Sequence, residues 1–314
     1  MLSVFYATLS PMLVMLLCVI TGFVLNKKEI LDKSTASVLS KLETYVFVPS
    51  LIIKTFLQYC RIDTLKENYR LIFYCIISLF LAFVLSFILS PLFSKDNYER
   101  NIYRYALVFS NFSFLGNAIV PSILGEEKLF LYMLYTLPLL FCAYSWGTVI
   151  LIPKNEEKKS YIKNLKNPVF ISIIIGIVAG LSGVFENISS FLFQTISYFS
   201  SCMGPVAMLL TGFVIGNYNV IKLIKNIKVF ILCLLKLIII PLLFVFVLYF
   251  IGADKESLIL TFFAYGTALG LNTVVFPSAY GGDAKIGASM AIIAQLMSVI
   301  TIPVLYAFLQ FFLY

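Results

Sequence analysis

Long apolar runs separated by short polar breaks are the feature that most constrains this chain. A helix needs about 20 apolar residues to cross the hydrocarbon core of a bilayer. Ten runs approach or exceed that length, at residues 2–25, 35–57, 71–93, 105–124, 129–152, 168–184, 188–215, 229–251, 258–280 and 286–314. The sequence therefore predicts an all-α, multi-pass protein of the cell membrane with ten transmembrane helices, which we number as spans 1 to 10.

Composition removes several classes of function. The chain has no histidine, and its six cysteines form no CxxC pair. These absences argue against histidine-ligated zinc, a Ser-His-Asp triad and histidine proton relays. The sequence also has no GxxxxGK[ST] loop for a nucleotide. We expect no enzyme, no metal and no cofactor, while coupling to sodium or protons stays open.

The basic residues indicate how the chain is oriented. Loops after spans 1, 3, 5, 7 and 9 hold 15 of the 23 Lys and Arg residues, and the loops on the other side hold 5. Cytoplasmic loops accumulate Lys and Arg, so both termini are expected outside the cell. The net charge of +8 belongs to these loops, so no nucleic acid partner is expected. Span 1 lacks a basic start and a cleavage site, and is expected to be a retained helix rather than a signal peptide.

The two halves of the chain resemble each other. A shift of 156 residues places Pro49 on Pro205 and aligns residues 115–125 of span 4 with 271–281 of span 9, where Leu, Pro, Ser and Gly coincide. Five spans in each half is an odd number, so a duplicated half re-enters the membrane upside down. We expect two inverted five-helix repeats, residues 1–157 and 158–314. Prolines and glycines are common in membrane helices, which is the alternative explanation of the match.

Spans 4 and 9 carry an unusual number of helix-disrupting and polar residues. Proline removes a backbone donor and glycine tolerates unwound backbone, so both spans are expected to break and cross near mid-membrane. Freed backbone groups survive in a membrane only where they line a protein cavity. The predicted substrate site comprises Asn111, Gly116, Asn117, Asn272 and Thr273. The prolines predicted to mark helix breaks are Pro121, Pro277 and Pro205. For any one of these residues, a kink or a tight helix contact is an equally good explanation.

Few ionisable residues fall inside the spans. Glu43 and Lys41 enter span 2 near its cytoplasmic start, where pairing or snorkelling is the preferred account and binding of a coupling ion by Glu43 is the alternative. Lys54 is expected to snorkel outward. Lys236 in span 8 is expected to snorkel toward the cytoplasm, or to reach an anionic substrate with its long stem.

Short motifs occur along the chain in a consistent order. They are residues 111–125, Leu165-Lys-Asn-Pro168, residues 205–212, Tyr280-Gly-Gly-Asp283 with Ala288-Ser289, and Thr301-Ile-Pro303. Together they resemble the auxin efflux carrier family over nearly the whole chain. The short link between the halves is similar to that of the family's bacterial members, which include dicarboxylate permeases.

This resemblance implies a scaffold of spans 1, 2, 6 and 7, which often forms a homodimer, and a moving domain of spans 3–5 and 8–10. Asn111 resembles the family asparagine that contacts a substrate carboxylate, and Pro49 is similar to the span-2 proline that faces the site. The chain departs from the family pattern at Ala118 and Thr273, where prolines are expected. That departure predicts breaks three or four residues further along.

Three functions remain at this point. The first is a secondary transporter for a small organic anion, a carboxylate or dicarboxylate, with alternating access and, by the resemblance, an elevator-type movement. An anion channel would need a continuous polar stripe, whereas only spans 4 and 9 are clearly polar at mid-depth. An intramembrane enzyme would need paired catalytic groups, which the spans lack.

The predicted orientation can be tested by labelling. In a background without the six native cysteines, Lys66→Cys should react with an impermeant thiol reagent added to intact cells, and Lys33→Cys should react only after the cells are opened. The reverse pattern would contradict the orientation and the charge argument behind it.

Overall fold

A computed structural model describes residues 2–153, 167–279 and 282–313. All regular structure in these ranges is helical, in agreement with the predicted all-α class. We number the main helices to match the spans: α1 Leu2–Lys27, α2 Thr35–Tyr59, α3 Arg70–Phe93, α4 Asn97–Leu124, α5 Glu126–Leu151, α6 Pro168–Leu181, α7 Ser190–Gly216, α8 Ile227–Phe250, α9a Lys255–Gly266, α9b Asn272–Ala279 and α10 Lys285–Leu313. Short helices Ile62–Asn68 and Val220–Leu223 lie between them.

Eight of these helices are long and apolar enough to cross a membrane, counted over the described ranges. The exceptions are α6, which has 14 residues, and α9, which is divided into α9a and α9b. The count of ten spans therefore stays a prediction. The repeat boundary at residues 157 and 158, the predicted end of span 9 at Tyr280 and both chain termini lie outside the described residues.

Polar residues set several helix starts. Asp96 precedes α4 and accepts a hydrogen bond from the Glu99 amide at 2.8 Å. Asp254 precedes α9a and accepts one from the Ser257 amide at 2.9 Å. An aspartate in this position satisfies an otherwise unpaired backbone N–H and complements the positive end of the helix. The two broken helices thus begin with the same local interaction.

Helix starts in the two halves follow the sequence offset of 156. In the first half α2, α3, α4 and α5 begin at residues 35, 70, 97 and 126, and in the second half α7, α8, α9a and α10 begin at 190, 227, 255 and 285. For each pair of corresponding helices, the two starting residues are separated by 156 residues to within three. Packing has the same symmetry, because α1 packs along α7 and α6 packs along α2.

Glycines allow these two helix pairs to approach closely. A Cβ at Gly212 of α7 would collide with the Val19 carbonyl of α1, and one at Gly22 would collide with the Leu209 carbonyl. Small residues of this kind let membrane helices pack backbone to backbone. The outer faces of the bundle are apolar, with side chains such as Phe80 and Ile174 about two-thirds exposed, as expected for a surface that faces lipid.

Gly212→Ala should destabilise the fold, because the new methyl group forces α1 and α7 apart. Overpacking of this kind costs about 1–3 kcal/mol. The expected result is a lower midpoint of thermal unfolding for the detergent-purified protein. Ser201→Ala, at an exposed position of the same helix, is the control and should leave the midpoint unchanged; equal midpoints for both variants would contradict the close packing.

Candidate functional site

The non-helical segments of α4 and α9 lie against each other. Residues 109–111 separate Asn97–Val108, which we name α4a, from residues 112–124, which we name α4b; residues 267–271 separate α9a from α9b. The backbone N–H of Asn111 donates to the Ala268 carbonyl at 2.6 Å, and the side-chain hydroxyl of Ser110 donates to the Ala264 carbonyl at 2.6 Å. Each break therefore satisfies backbone groups of the other.

Lys236 of α8 satisfies the end of α4a. Its ammonium donates to the carbonyls of Leu107 and Val108 at 2.9 and 3.2 Å, and it lies 5.2 Å from the centre of the Tyr265 ring. Lys236 is fully buried, so the prediction that it snorkels toward the cytoplasm is wrong. The reason is local: the last carbonyls of a helix carry partial negative charge and attract a cation.

The start of α4b packs tightly on α5. Its first five residues, Phe112–Gly116, form a π-helix, and the Gly116 amide donates to the Asn111 carbonyl at 3.0 Å. The Tyr132 hydroxyl of α5 donates to the Phe112 carbonyl at 2.9 Å. A Cβ at Gly116 would collide with that hydroxyl. Gly116 is thus required for this contact, whether or not it also faces a substrate.

Two buried amides next to the break have unused hydrogen-bonding capacity. The side chain of Asn111, 5% exposed, makes no hydrogen bond to any residue that the structure describes. Asn117, 7% exposed, has its side-chain oxygen buried without a partner. Buried polar groups normally have partners, and unpaired ones call for an explanation such as a missing ligand.

A small cavity lies beside Asn117, between α4b and α5 on one side and α2 and α6 on the other. Its volume is about 20 Å³, which is room for roughly one water molecule. Its lining combines polar Ser113, Asn117 and Thr136 with apolar side chains, among them Ile52 and Ile173. The cavity is too small for an organic acid in this conformation.

The remaining predicted site residues are not gathered around that cavity. The Asn272 amide donates to the Tyr105 hydroxyl at 2.7 Å, and the Thr273 hydroxyl donates to the Gly270 carbonyl at 3.2 Å. Both interactions hold α9b in place. Pro49 lies about one turn before Ile52 on α2 but does not line the cavity. Of the predicted set, only Asn117 lies in the lining.

The prolines do not mark the breaks as predicted. Pro121 lies inside the helix Asn117–Leu124, Pro277 inside Asn272–Ala279 and Pro205 inside α7. Proline removes one backbone donor and kinks a helix. The interruptions occur earlier in the sequence than the prolines, where Ser110 and Asn111 donate hydrogen bonds to carbonyls of α9. The predicted displacement of the breaks toward later residues is therefore wrong for α4, whose break precedes Gly116.

Sequence reasoning missed several residues that shape the breaks. Ser110 and Ser113 flank Asn111 and make a short polar stretch in an apolar span, which was a usable signal. Tyr105, Tyr132 and Thr136 gave no such signal, because aromatic and hydroxyl residues are scattered through many membrane helices.

Glu43 also differs from its prediction. It is fully buried in α2 and neither carboxyl oxygen has a partner, while Lys41 is exposed. Residues two apart on a helix point to different faces, so the predicted pairing of Lys41 with Glu43 is wrong. Lys54, expected to snorkel, lies 3.4 Å from Glu126 in an ion pair.

Lys236→Met should destabilise the protein, because two carbonyls at the end of α4a lose their donor. Each buried group left unpaired costs about 1–3 kcal/mol. We expect a lower midpoint of thermal unfolding, with Lys225→Met at an exposed loop position unchanged. An unaltered midpoint for Lys236→Met would show that Lys236 does not hold the break.

Comparison with known proteins agrees with this membrane-embedded architecture. The sequence model of a family described as membrane transport protein matches residues 7–164 and 154–306. An uncharacterized transporter of Methanocaldococcus jannaschii is 26% identical over 206 residues, which are 64% of this chain and 66% of that protein, just under two-thirds of its length. The family match covers nearly the whole chain, and the resemblance found in the motifs is confirmed. The chain belongs to the membrane transport protein family, whose members are auxin efflux carrier-like.

Proposed function

We propose that this protein is a secondary transporter that moves a small organic anion across the cell membrane. Membership of a transporter family supports the general class. The observation that carries the proposal is the pair of broken helices whose unwound segments bond to each other at Asn111 and Ala268. Unwound backbone at membrane depth is tolerated where it lines a protein site, and transporters place substrate sites at such breaks.

The electrostatics of the breaks favour a negatively charged substrate. The helical segments 112–124 and Asn272–Ala279 both begin at the breaks, and helix N-termini carry partial positive charge that receives carboxylates. Asn111 adds an amide with two unused donors. The one acidic side chain among the fully buried residues described is Glu43 on α2, so no buried carboxylate at the breaks themselves opposes an anion.

The small size of the cavity supports alternating access rather than a channel. At about 20 Å³, it holds roughly one water molecule, so a carboxylic acid enters only if α4 and α5 separate from α2 and α6. In this proposal α1, α2, α6 and α7 form the scaffold and the homodimer interface, and the other six helices move against it in the manner of an elevator. The glycine-mediated packing of α1 on α7 and of α6 on α2 suits a fixed scaffold.

The correspondence between the two halves of the chain supports the same mechanism. Matching helix starts and the reciprocal pairing of α1 with α7 and α6 with α2 suit two inverted halves, related by an axis in the membrane plane. Two inverted halves can exchange conformations, which opens the site to each side of the membrane in turn. Both chain ends then face outward, as the basic loops predict.

Asn111→Ala should weaken substrate binding, because a desolvated carboxylate loses a donor. The cost is roughly 1.5–3 kcal/mol, about ten- to a hundredfold in affinity. Asn111→Asp should be worse, since like charges would meet. The measurement is uptake of labelled malonate and succinate into proteoliposomes over a range of concentrations.

Asn97→Ala is the matched control, because Asn97 is exposed at the start of the same helix. All variants are first checked for folding by thermal shift. If folded Asn111→Ala and Asn111→Asp transport with the affinity of the parent, Asn111 is a packing residue and the substrate site lies elsewhere. If no organic anion is taken up by the parent protein, the proposed substrate class is wrong.

A further inference from the structure

Glu43 is the one fully buried acidic side chain among the described residues. It begins the π-helix Glu43–Phe47 within α2, has no exposed surface, and has both carboxyl oxygens without a hydrogen-bond partner. A buried polar atom without a partner costs free energy, and a buried unpaired charge costs several kcal/mol more. An ionised Glu43 is therefore incompatible with the closed conformation.

Glu43 lies on the same face of α2 as Ala36 and Leu39, and its π-helix packs against α7 and α6. Ala36 and Leu39, seven and four residues earlier on the same helical face, pack against a cluster that includes Leu271 and Val274, together with residues of α7 and α10. We name this contact between α2 and the segments around α9b the seam. Leu271 belongs to the break in α9, so the seam runs from the proposed transport site to Leu39, about one turn before Glu43 on α2.

Among the described residues, no charged group on the helices packed around Glu43 or in the seam compensates it. Helix α7, which packs most closely on the π-helix, contains no Lys, Arg, Asp or Glu; its titratable groups are Tyr198, which is exposed, and Cys202, which is half-buried. Helix α6 has no titratable side chain. On α2 itself Lys41 and Tyr45 are exposed.

The remaining charged groups on helices at the seam are engaged elsewhere. Lys54 of α2 pairs with Glu126. At the start of α10, Lys285 is exposed and lies 3.8 Å from Asp283. Helix α9b carries no charged side chain.

A proton fits this environment better than a metal cation. Hard cations in proteins take about six or more oxygen ligands, and no three His, Cys, Asp or Glu side chains come together anywhere in the described ranges. A proton needs only the carboxyl group itself. We propose that Glu43 is a proton-binding site whose protonation controls the seam, and its link to transport rests on the proposed function.

The chemical step is a simple proton exchange. With the seam closed, Glu43 is a neutral carboxylic acid. When the seam opens to water, the O–H bond breaks, the proton passes to a water molecule and the electron pair stays on the carboxylate, which water then solvates. The carboxylate cannot re-enter the closed seam until it takes a proton back from water. Closure of the seam thus requires one bound proton.

The first test compares transport under an imposed pH gradient. Proteoliposomes containing the parent, Glu43→Gln, Glu43→Asp or Glu127→Gln take up labelled malonate and succinate, with the membrane potential clamped and protein-free liposomes as the blank. Glu127 is an exposed carboxylate on α5 and serves as the matched control.

We expect acid outside to stimulate uptake severalfold in the parent, Glu43→Asp and Glu127→Gln, and to have no effect on Glu43→Gln, whose neutral amide cannot exchange a proton. Stimulation of Glu43→Gln equal to that of the parent overturns the proposal. Uptake driven by a sodium gradient and lost in Glu43→Gln also overturns it, in favour of a cation site.

The second test does not depend on transport. Infrared difference spectra of the purified parent at neutral pH should contain the carbonyl stretch of a buried protonated carboxylic acid, which shifts in D₂O and is missing from Glu43→Gln. Absence of this band shows an ionised Glu43 and overturns the proposal. If the parent takes up no anion but the band is present, the proposed function fails while the proton site stands.

Discussion

The interruption of α4 and α9 inside the membrane is the constraint on which the rest of this structure depends. A chain that leaves the helix in hydrocarbon exposes backbone groups that no solvent can satisfy. Here the two interruptions satisfy each other through Asn111 and Ser110, and Lys236 satisfies the end of α4a. Because each break needs the other, the two helices form one unit.

The surrounding helices pack on this unit and on one another in two different ways. Helices α1 and α7 approach so closely at Gly22 and Gly212 that no Cβ fits, and a contact of backbone on backbone has little freedom to slide. The side of α4b and α5 that faces α2 and α6 has only a small cavity, with a mixed lining of Ser113, Thr136 and apolar side chains. An interface of side chains with a polar patch is easier to separate and hydrate than a glycine contact.

Hydropathy alone predicted where nearly every helix lies, because the length and apolarity of a membrane helix are local properties of the sequence. The predicted spans and the described helices agree within a few residues at most ends, although α4 begins at Asn97, eight residues before the predicted start. There the polar turns of α4a were too hydrophilic to be recognised as part of a span. The early start matters, since it places the break in the middle of the helix.

The position of each break was not predictable from the prolines. Pro121 and Pro277 sit inside helices, and what ends α4a and α9a is a set of hydrogen bonds between residues more than 120 positions apart in sequence, such as Lys236 to Leu107. Contacts of this kind leave no local pattern. Asn111 was identified because an amide in an apolar run is itself a local signal, whereas its bond to Ala268 depends on the fold.

Among the described residues, Glu43 and Lys236 are the two fully buried acidic or basic side chains, and they lie on similar backbone but differ in their hydrogen bonding. Glu43 and Lys236 each lie in a π-helix, Glu43–Phe47 and Leu235–Ile239, and a proline lies two residues after the end of each π-helix, at Pro49 and Pro241. The extra residue of a π-turn and the missing proline N–H both loosen the regular backbone pattern, and such turns are frequent at functional sites. Lys236 meets the negative end of α4a and donates to two of its carbonyls, which is a structural role. Glu43 meets no positive group in the described part of the chain, so the same kind of backbone holds a carboxyl that is stable only when neutral. Of the two, Glu43 is therefore the one whose charged form has no described partner in this structure.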